Sequence, residues 1–355
     1  MNSNRLNNTN KSFVKNRLIP ALILILVAIP LFTLLLVSFN PTYNQNLSEG
    51  VKLLFKSTSA VLLIIFSFWL FFELNMSTIK NKYFAILLSA IALVGVFGNM
   101  SLWQQLLLFT GKQNEFGWSN DLNEVGKLTR QFVFDWYLLL IPILAIIFRI
   151  MIKLFIIKMP NYKWLIINSL IYGLTLAILI IFIKFFIVLL TQNYGLELIM
   201  LFLFISCGYD IGGYFGGKTL GHKFIKPKLA PKLSPKKTYE GAFVGYLTSM
   251  LVALILISSM YGIKNGINSN LYTQNTIFNY FLNTSNFTAY IITFLFIAPF
   301  AALFGDLYFS GIKRMNGIKD FSKLLKEHGG ALDRFDSISF VFVLFAILAV
   351  LSSIN

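Results

Sequence analysis

The sequence predicts an all-α polytopic membrane protein of about nine transmembrane helices. Hydrophobic residues make up 57% of the 355 and charged residues only 12%, and the mean hydropathy is +0.72, a balance no soluble domain could keep off its surface. Apolar runs near the roughly 20 residues of a bilayer crossing recur at about 18–38, 57–74, 83–99, 136–157, 164–190, 195–211, 241–260, 288–304 and 337–353.

The first run follows Arg5, Lys11, Lys15 and Arg17. It is longer than a signal-peptide core and lacks a clear small-residue cleavage site, so it is expected to remain as an anchor. Lys80 and Lys82 separate the second and third runs. The mixed stretch 100–135, with Trp103 and Trp118, is expected to hold an interfacial helix at about 102–109. Arg149, Lys153, Lys158 and Lys163 lie at the junction of the fourth and fifth runs. The sixth and seventh flank a connector, 212–240, with seven lysines. Stretch 261–287, before the eighth run, is rich in Asn, Thr and Tyr and names no chemistry. The eighth and ninth flank 305–336, which carries six basic residues.

With the N-terminus inside, 23 of the 30 lysines and arginines fall on the inner side, as the positive-inside rule requires. The expected topology is N-terminus cytoplasmic and C-terminus outside, in the cell membrane, with a polar site at the cytoplasmic ends of the last four helices. The formal charge of +16 is spread between apolar spans. That distribution argues against nucleic acid and for anionic headgroups or phosphorylated compounds. A single cysteine, Cys207, excludes a disulfide framework and a cysteine metal site. There is no internal repeat, heptad or soluble domain. The expected division is 1–200 for the N-terminal helices and 201–355 for the region with the chemistry.

In the first connector the glycines from Gly208 to Gly221 permit close backbone approach, as phosphate cradles and packed helix ends both require. Asp210 stands near a membrane boundary, where a carboxylate needs a partner or a cation. Thr238 is placed to cap the seventh helix and Glu240 to favour its positive end, leaving Lys236 and Lys237 for phosphates. Such a lysine-rich inner loop also serves as a plain topology signal.

In the second connector, Asp306 and Ser310 are spaced to share a helix face, and Asp333 and Asp336 would share another if the ninth helix begins there. Oxygen donors of this kind suit Mg²⁺. His328, followed by Gly329 and Gly330, provides a turn that could fold Asp333 toward Asp306. The histidine serves equally as a hydrogen-bonding post. Lys313, Arg314, Lys319 and Arg334 surround the carboxylates, a mixture suited to metal-bound polyphosphate. A solvated loop of ion pairs is the plain alternative, and the scarcity of charge elsewhere argues against it.

Ser310, Lys313-Arg314, Lys319-Asp320, Ser322, Leu325, His328-Gly329-Gly330, Asp333-Arg334 and Asp336 together resemble, in register, the C-terminal signature of the phosphatidate cytidylyltransferase (CDP-diacylglycerol synthase) family. Lys326 departs from it, standing where the family carries Pro, Gly or Ser. Asp210, Tyr214, Gly217, Ser234-Pro235-Lys236-Lys237-Thr238 and Glu240-Gly241 extend the resemblance, which covers about 205–340.

The resemblance implies transfer of CMP from CTP to phosphatidic acid, with release of pyrophosphate. Asp306, Ser310 and Asp333 would hold Mg²⁺, with room for a second ion. Lys236, Lys237, Lys313, Arg314 and Lys319 would meet phosphates, with Asp210, Thr238 and Glu240 also on the substrate side. Asp320, His328, Arg334 and Asp336 would complete the catalytic set. The implied partners are CTP, phosphatidic acid, the bilayer and a second copy in a homodimer, with no nucleic acid. A CTP-dependent polyprenol or phytol kinase is the rival enzyme. A transporter is a further alternative, disfavoured because the charges sit at helix ends and no repeat is present.

Overall fold

The computed structural model describes residues 19–40, 43, 46–99, 122–156, 161–192, 195–266, 285–323 and 329–354. These residues form α-helices α1 (Ile19–Phe39), α2 (Glu49–Ile79), α3 (Lys82–Phe97), α4 (Leu122–Phe132), α5 (Trp136–Met151), α6 (Tyr162–Thr191), α7 (Gly195–Thr219), α8 (Tyr239–Gly266), α9 (Ser285–Met315) and α10 (Asp336–Ser352). A π-helical turn, Ile152–Ile156, follows α5, and a 3₁₀ turn, Leu332–Arg334, precedes α10. No strand occurs among the described residues.

Each of the nine apolar runs falls, among the described residues, on a helix, apart from a residue or two at the ends of the third and ninth. Among the described residues six helical stretches are long and apolar enough to cross a membrane, including Val125–Ile156, in which a short turn at 133–135 joins α4 to α5. Three shorter apolar helices cover Leu26–Phe39, Lys82–Phe97 and Asp336–Ser352. The chain is thus an all-α, multi-pass membrane protein.

The helices outrun the apolar runs at the ends that matter. α2 continues to Ile79, α7 to Thr219 and α9 to Met315, because the hydrogen-bond ladder needs no apolar side chain once the helix is nucleated. Residues 212–219 and 305–315, read as connector, are therefore helical, and Asp306 and Ser310 do share one helix. Asp333 and Asp336 do not: Asp333 belongs to the 3₁₀ turn and α10 starts at Asp336, with a break at Phe335. α4 was not expected, and the interfacial helix expected at 102–109 lies outside the described residues.

α6 is the central helix, with Leu176, Leu179, Ile180, Phe185 and Leu189 all 0% exposed. Phe182 and Phe185 of α6, Phe202 of α7, Phe294 of α9, and Phe342 and Phe345 of α10 form a continuous aromatic core, with centroids such as Phe202–Phe342 at 4.9 Å. Lys184, buried on α6, is neutralised by Asp135, the N-cap of α5, at 2.7 Å. A charge within a span requires such a partner.

α7 and α8 pack closest of all. Thr248 Oγ1 donates to the Gly208 carbonyl, and Ser249 Oγ to that of Ile205 at 2.8 Å. A Cβ at Gly212 would run into the side chain of Thr248, including its Cβ at 2.7 Å. Small residues at four-residue spacing allow this approach in membranes, where no hydrophobic force draws helices together. Gly212→Val is therefore expected to destabilise the protein by about 1–3 kcal/mol or more, read as a lower thermal unfolding midpoint in detergent. An unchanged midpoint would refute the packing role.

Candidate functional site

Four helix ends meet at one end of the bundle: the C-terminal parts of α7 and α9 and the N-termini of α8 and α10. They enclose a cavity of about 370 Å³, lined by Tyr209, Asp210, Gly213, Tyr214, Leu229, Lys236, Lys237, Thr238, Gly241, Ala242, Asp306, Asp333 and Asp336. That size lies within the range of small-molecule sites.

Thr238 caps α8, its Oγ1 accepting from the Gly241 amide at 3.0 Å, as the sequence suggested. This fixes the direction in which Lys236 and Lys237 enter the cavity. Glu240 instead turns away from it. Its Oε1 accepts from the Phe224 and Ile225 amides at 3.0 and 2.7 Å, so it holds the lysine-rich connector against α8.

Asp306 lies where α9 faces the cavity and forms an ion pair with Lys237. This contact, with Arg314 Nε donating to the Leu233 carbonyl at 3.3 Å, joins the two connectors. Ser310 Oγ donates to Asp306 Oδ1 at 3.3 Å, one turn on. Asp210 and Asp336 are both close enough to Asp306 for its charge to act on theirs. Of the four carboxylates that line the cavity, Asp210 and Asp336 are thus the neighbours of Asp306.

Asp333 is committed elsewhere as well. Its Oδ1 meets Lys313 Nζ at 2.8 Å, and its Oδ2 accepts from the Phe321 and Gly330 amides at 2.9 and 2.8 Å. Lys313 also lies 3.8 Å from Asp336 and 5.5 Å from the Phe321 ring. It therefore ties the 3₁₀ turn to the start of α10. Gly329 adopts φ +78°, a conformation that side chains strain to reach, and so brings the Gly330 amide onto Asp333. Arg314 Nη1 donates to the Ile318 carbonyl at 3.0 Å. Lys319 and Asp320 are exposed and do not line the cavity. Arg334, also exposed, acts electrostatically on Asp210. His328 and Lys326 lie outside the described residues.

One residue escaped the sequence reading. Glu73 of α2 is 2% exposed. Its carboxylate accepts from Ser322 Oγ at 2.7 Å and from the Ala331 and Leu332 amides at 3.1 and 2.8 Å. Trp69 Nε1, one turn earlier, donates to it at 2.9 Å. The N-terminal half thus holds the loop that carries Asp333. The available signal was an acidic residue inside an apolar run, which marks function by default.

The sequence model of the cytidylyltransferase family matches residues 18–352. A phosphatidate cytidylyltransferase of Helicobacter pylori is 35% identical over 149 residues, which is 42% of this chain and 46% of the relative. One of Haemophilus influenzae is 31% identical over 152 residues, covering 41% and 43%. One of Staphylococcus aureus is 54% identical over 48 residues, covering 14% and 18%. In each alignment the chain spans less than half of the relative's length. The match across nearly the whole bundle, N-terminal helices included, places the chain in the cytidylyltransferase family.

Proposed function

We propose that the protein is a phosphatidate cytidylyltransferase, transferring CMP from CTP to phosphatidic acid at the cytoplasmic face of the plasma membrane. The observation that carries this is the meeting of Asp210, Asp306 and Asp336 with Lys236 and Lys237 in one cavity at the end of a membrane bundle. The names of the relatives and the inner bias of lysine and arginine support it, as do nine apolar helices in the role of nine spans.

Both reactants are polyanions, so cationic groups must meet them first. Lys236 is exposed at the cavity wall, and Lys237 is held ready by Asp306. An incoming polyphosphate would compete for the Lys237 ammonium and release the Asp306 carboxylate. An oxygen of the phosphatidate phosphate then attacks the α-phosphorus of CTP. The bond from that phosphorus to the oxygen bridging to the β-phosphate breaks, and pyrophosphate leaves with the electron pair.

Mg²⁺ fits this site in kind, since the donors are hard oxygens. Among the described residues no three Asp, Glu, His or Cys side chains are gathered into a ready cage, and Lys237 occupies Asp306. Asp306, with Asp210 and Asp336 beside it, would hold the ion once Lys237 is drawn away. There the ion would supply neutralisation of the triphosphate charge. Lys313, clamped between Asp333 and Asp336, serves to keep the Asp336 carboxylate in place.

The test is the product. Membranes given CTP labelled at the α-phosphate, with phosphatidic acid and Mg²⁺, are expected to place the label in lipid and to release pyrophosphate. Label leaving as CDP, with phosphorylation of a lipid alcohol, would identify a lipid kinase instead.

A further inference from the structure

A second polar cluster, remote from the proposed reaction, lies where α2, α3, α5 and α6 meet. Arg149 is 0% exposed. It donates to Ser169 Oγ at 2.8 Å and Asn168 Oδ1 at 3.0 Å, and its guanidinium lies 4.8 Å from the centre of the Tyr172 ring. Tyr172 donates in turn to Asn75, and Asn75 to Ser89. All of these partners are neutral.

Lys153 lies one turn beyond Arg149, in the π-helical turn, and is 2% exposed, with its ammonium 5.7 Å from the centre of the Trp164 ring. Arg149 and Lys80 both act on it as like charges. Among the described residues no salt bridge reaches Arg149, Lys153 or Lys80. Arg149 Nε and Asn168 Nδ2 are buried donors that find no acceptor among the described residues. Unmatched cations and unused donors in a membrane protein mark an anion missing from the cluster.

Depth and surroundings identify the anion. Lys80, the residue that caps the C-terminus of α2, lies seven residues beyond Glu73, about 10 Å along the axis, and Glu73 touches the loop that carries Asp333. The cluster is therefore at the same end of the bundle as the cavity. Tyr83, Phe155 and Tyr162 beside it are 81%, 73% and 65% exposed, an aromatic band of the kind found at headgroup level. Basic pockets between helices at that level take lipid phosphates.

We infer that Lys80, Arg149 and Lys153 form a binding site for the phosphate of an anionic phospholipid headgroup, separate from the catalytic cavity. A free phosphate ion shares this chemistry, but the aromatic band and the exposed apolar flanks favour the lipid. Trp164, against Lys153, is a built-in reporter.

The experiment reconstitutes the full chain in phosphatidylcholine vesicles and compares tryptophan quenching by brominated phosphatidylglycerol and by brominated phosphatidylcholine. Wild type is expected to prefer the phosphatidylglycerol, and Trp164→Phe to remove most of the selective component. Lys80→Gln and Lys153→Gln should each lower the preference about fivefold, while circular dichroism confirms an intact helical fold. Lys80 is exposed, so its variant keeps the test meaningful if Lys153→Gln fails to fold. Equal quenching of wild type by both lipids, or an undiminished preference in a folded Lys80→Gln protein, overturns the inference. Relief of the selective quenching by inorganic phosphate at constant ionic strength would move the site to the free ion and overturn the lipid assignment.

Discussion

Asp306→Asn is expected to lower the proposed CDP-diacylglycerol formation by about 100-fold or more, the usual cost of removing one group from a preorganised electrostatic site, with expression and thermal stability preserved. Asp306 sits inside a continuous helix, its Oδ1 receives only a long bond from Ser310, and its ion pair with the partly exposed Lys237 contributes at most about 1 kcal/mol. The backbone therefore does not depend on its charge. Asp333→Asn separates the two roles given to these aspartates. Asp333 binds Lys313 and two backbone amides, so its amide variant should lose stability by about 1–3 kcal/mol along with activity. A pair of assays, labelled product formation and detergent unfolding, distinguishes them. Near wild-type activity in Asp306→Asn would remove Asp306 from the reaction.

What could be read from the sequence follows from the range of each interaction. The apolar runs and the shared face of Asp306 and Ser310 are local, and both appear in the helices described. The Thr238 cap is local too, and the structure contains it. The pairing of Asp333 with Asp336 failed because a 3₁₀ turn and a break at Phe335 intervene, held by Lys313 from another helix. Periodicity carries no information on such a contact. Likewise, only tertiary packing shows that Asp210 and Asp336 are the neighbours of Asp306, or that Glu240 serves the backbone of its own connector. The basic residues Arg149 and Lys153 read as topology markers, and only the structure shows that both are buried and, among the described residues, without a carboxylate partner.

Glu73 is the strongest case of information absent from local sequence, and its replacement carries the other large effect. Glu73→Ala would strip an acceptor from the Ala331 and Leu332 amides and the Ser322 hydroxyl within a buried contact. Hydrogen bonds to a charged group contribute about 1.5–3 kcal/mol each, so a loss of about 3 kcal/mol or more is expected, together with a collapse of activity. Glu73→Gln refines the test, because the amide keeps one accepting oxygen and nearly the same volume. Gly330 packs directly on the carboxylate, leaving little room for the loop to adjust. If Glu73 only positions the turn bearing Asp333, Glu73→Gln should lower kcat about tenfold while leaving KM for CTP within about twofold, since the lysines proposed to meet the triphosphate belong to other elements. Glu73→Asp, which keeps the charge but is shorter by one methylene, should fall between the two in kcat. A rise in KM for CTP at unchanged kcat would mean that Glu73 acts on nucleotide binding, and the positioning role would be wrong.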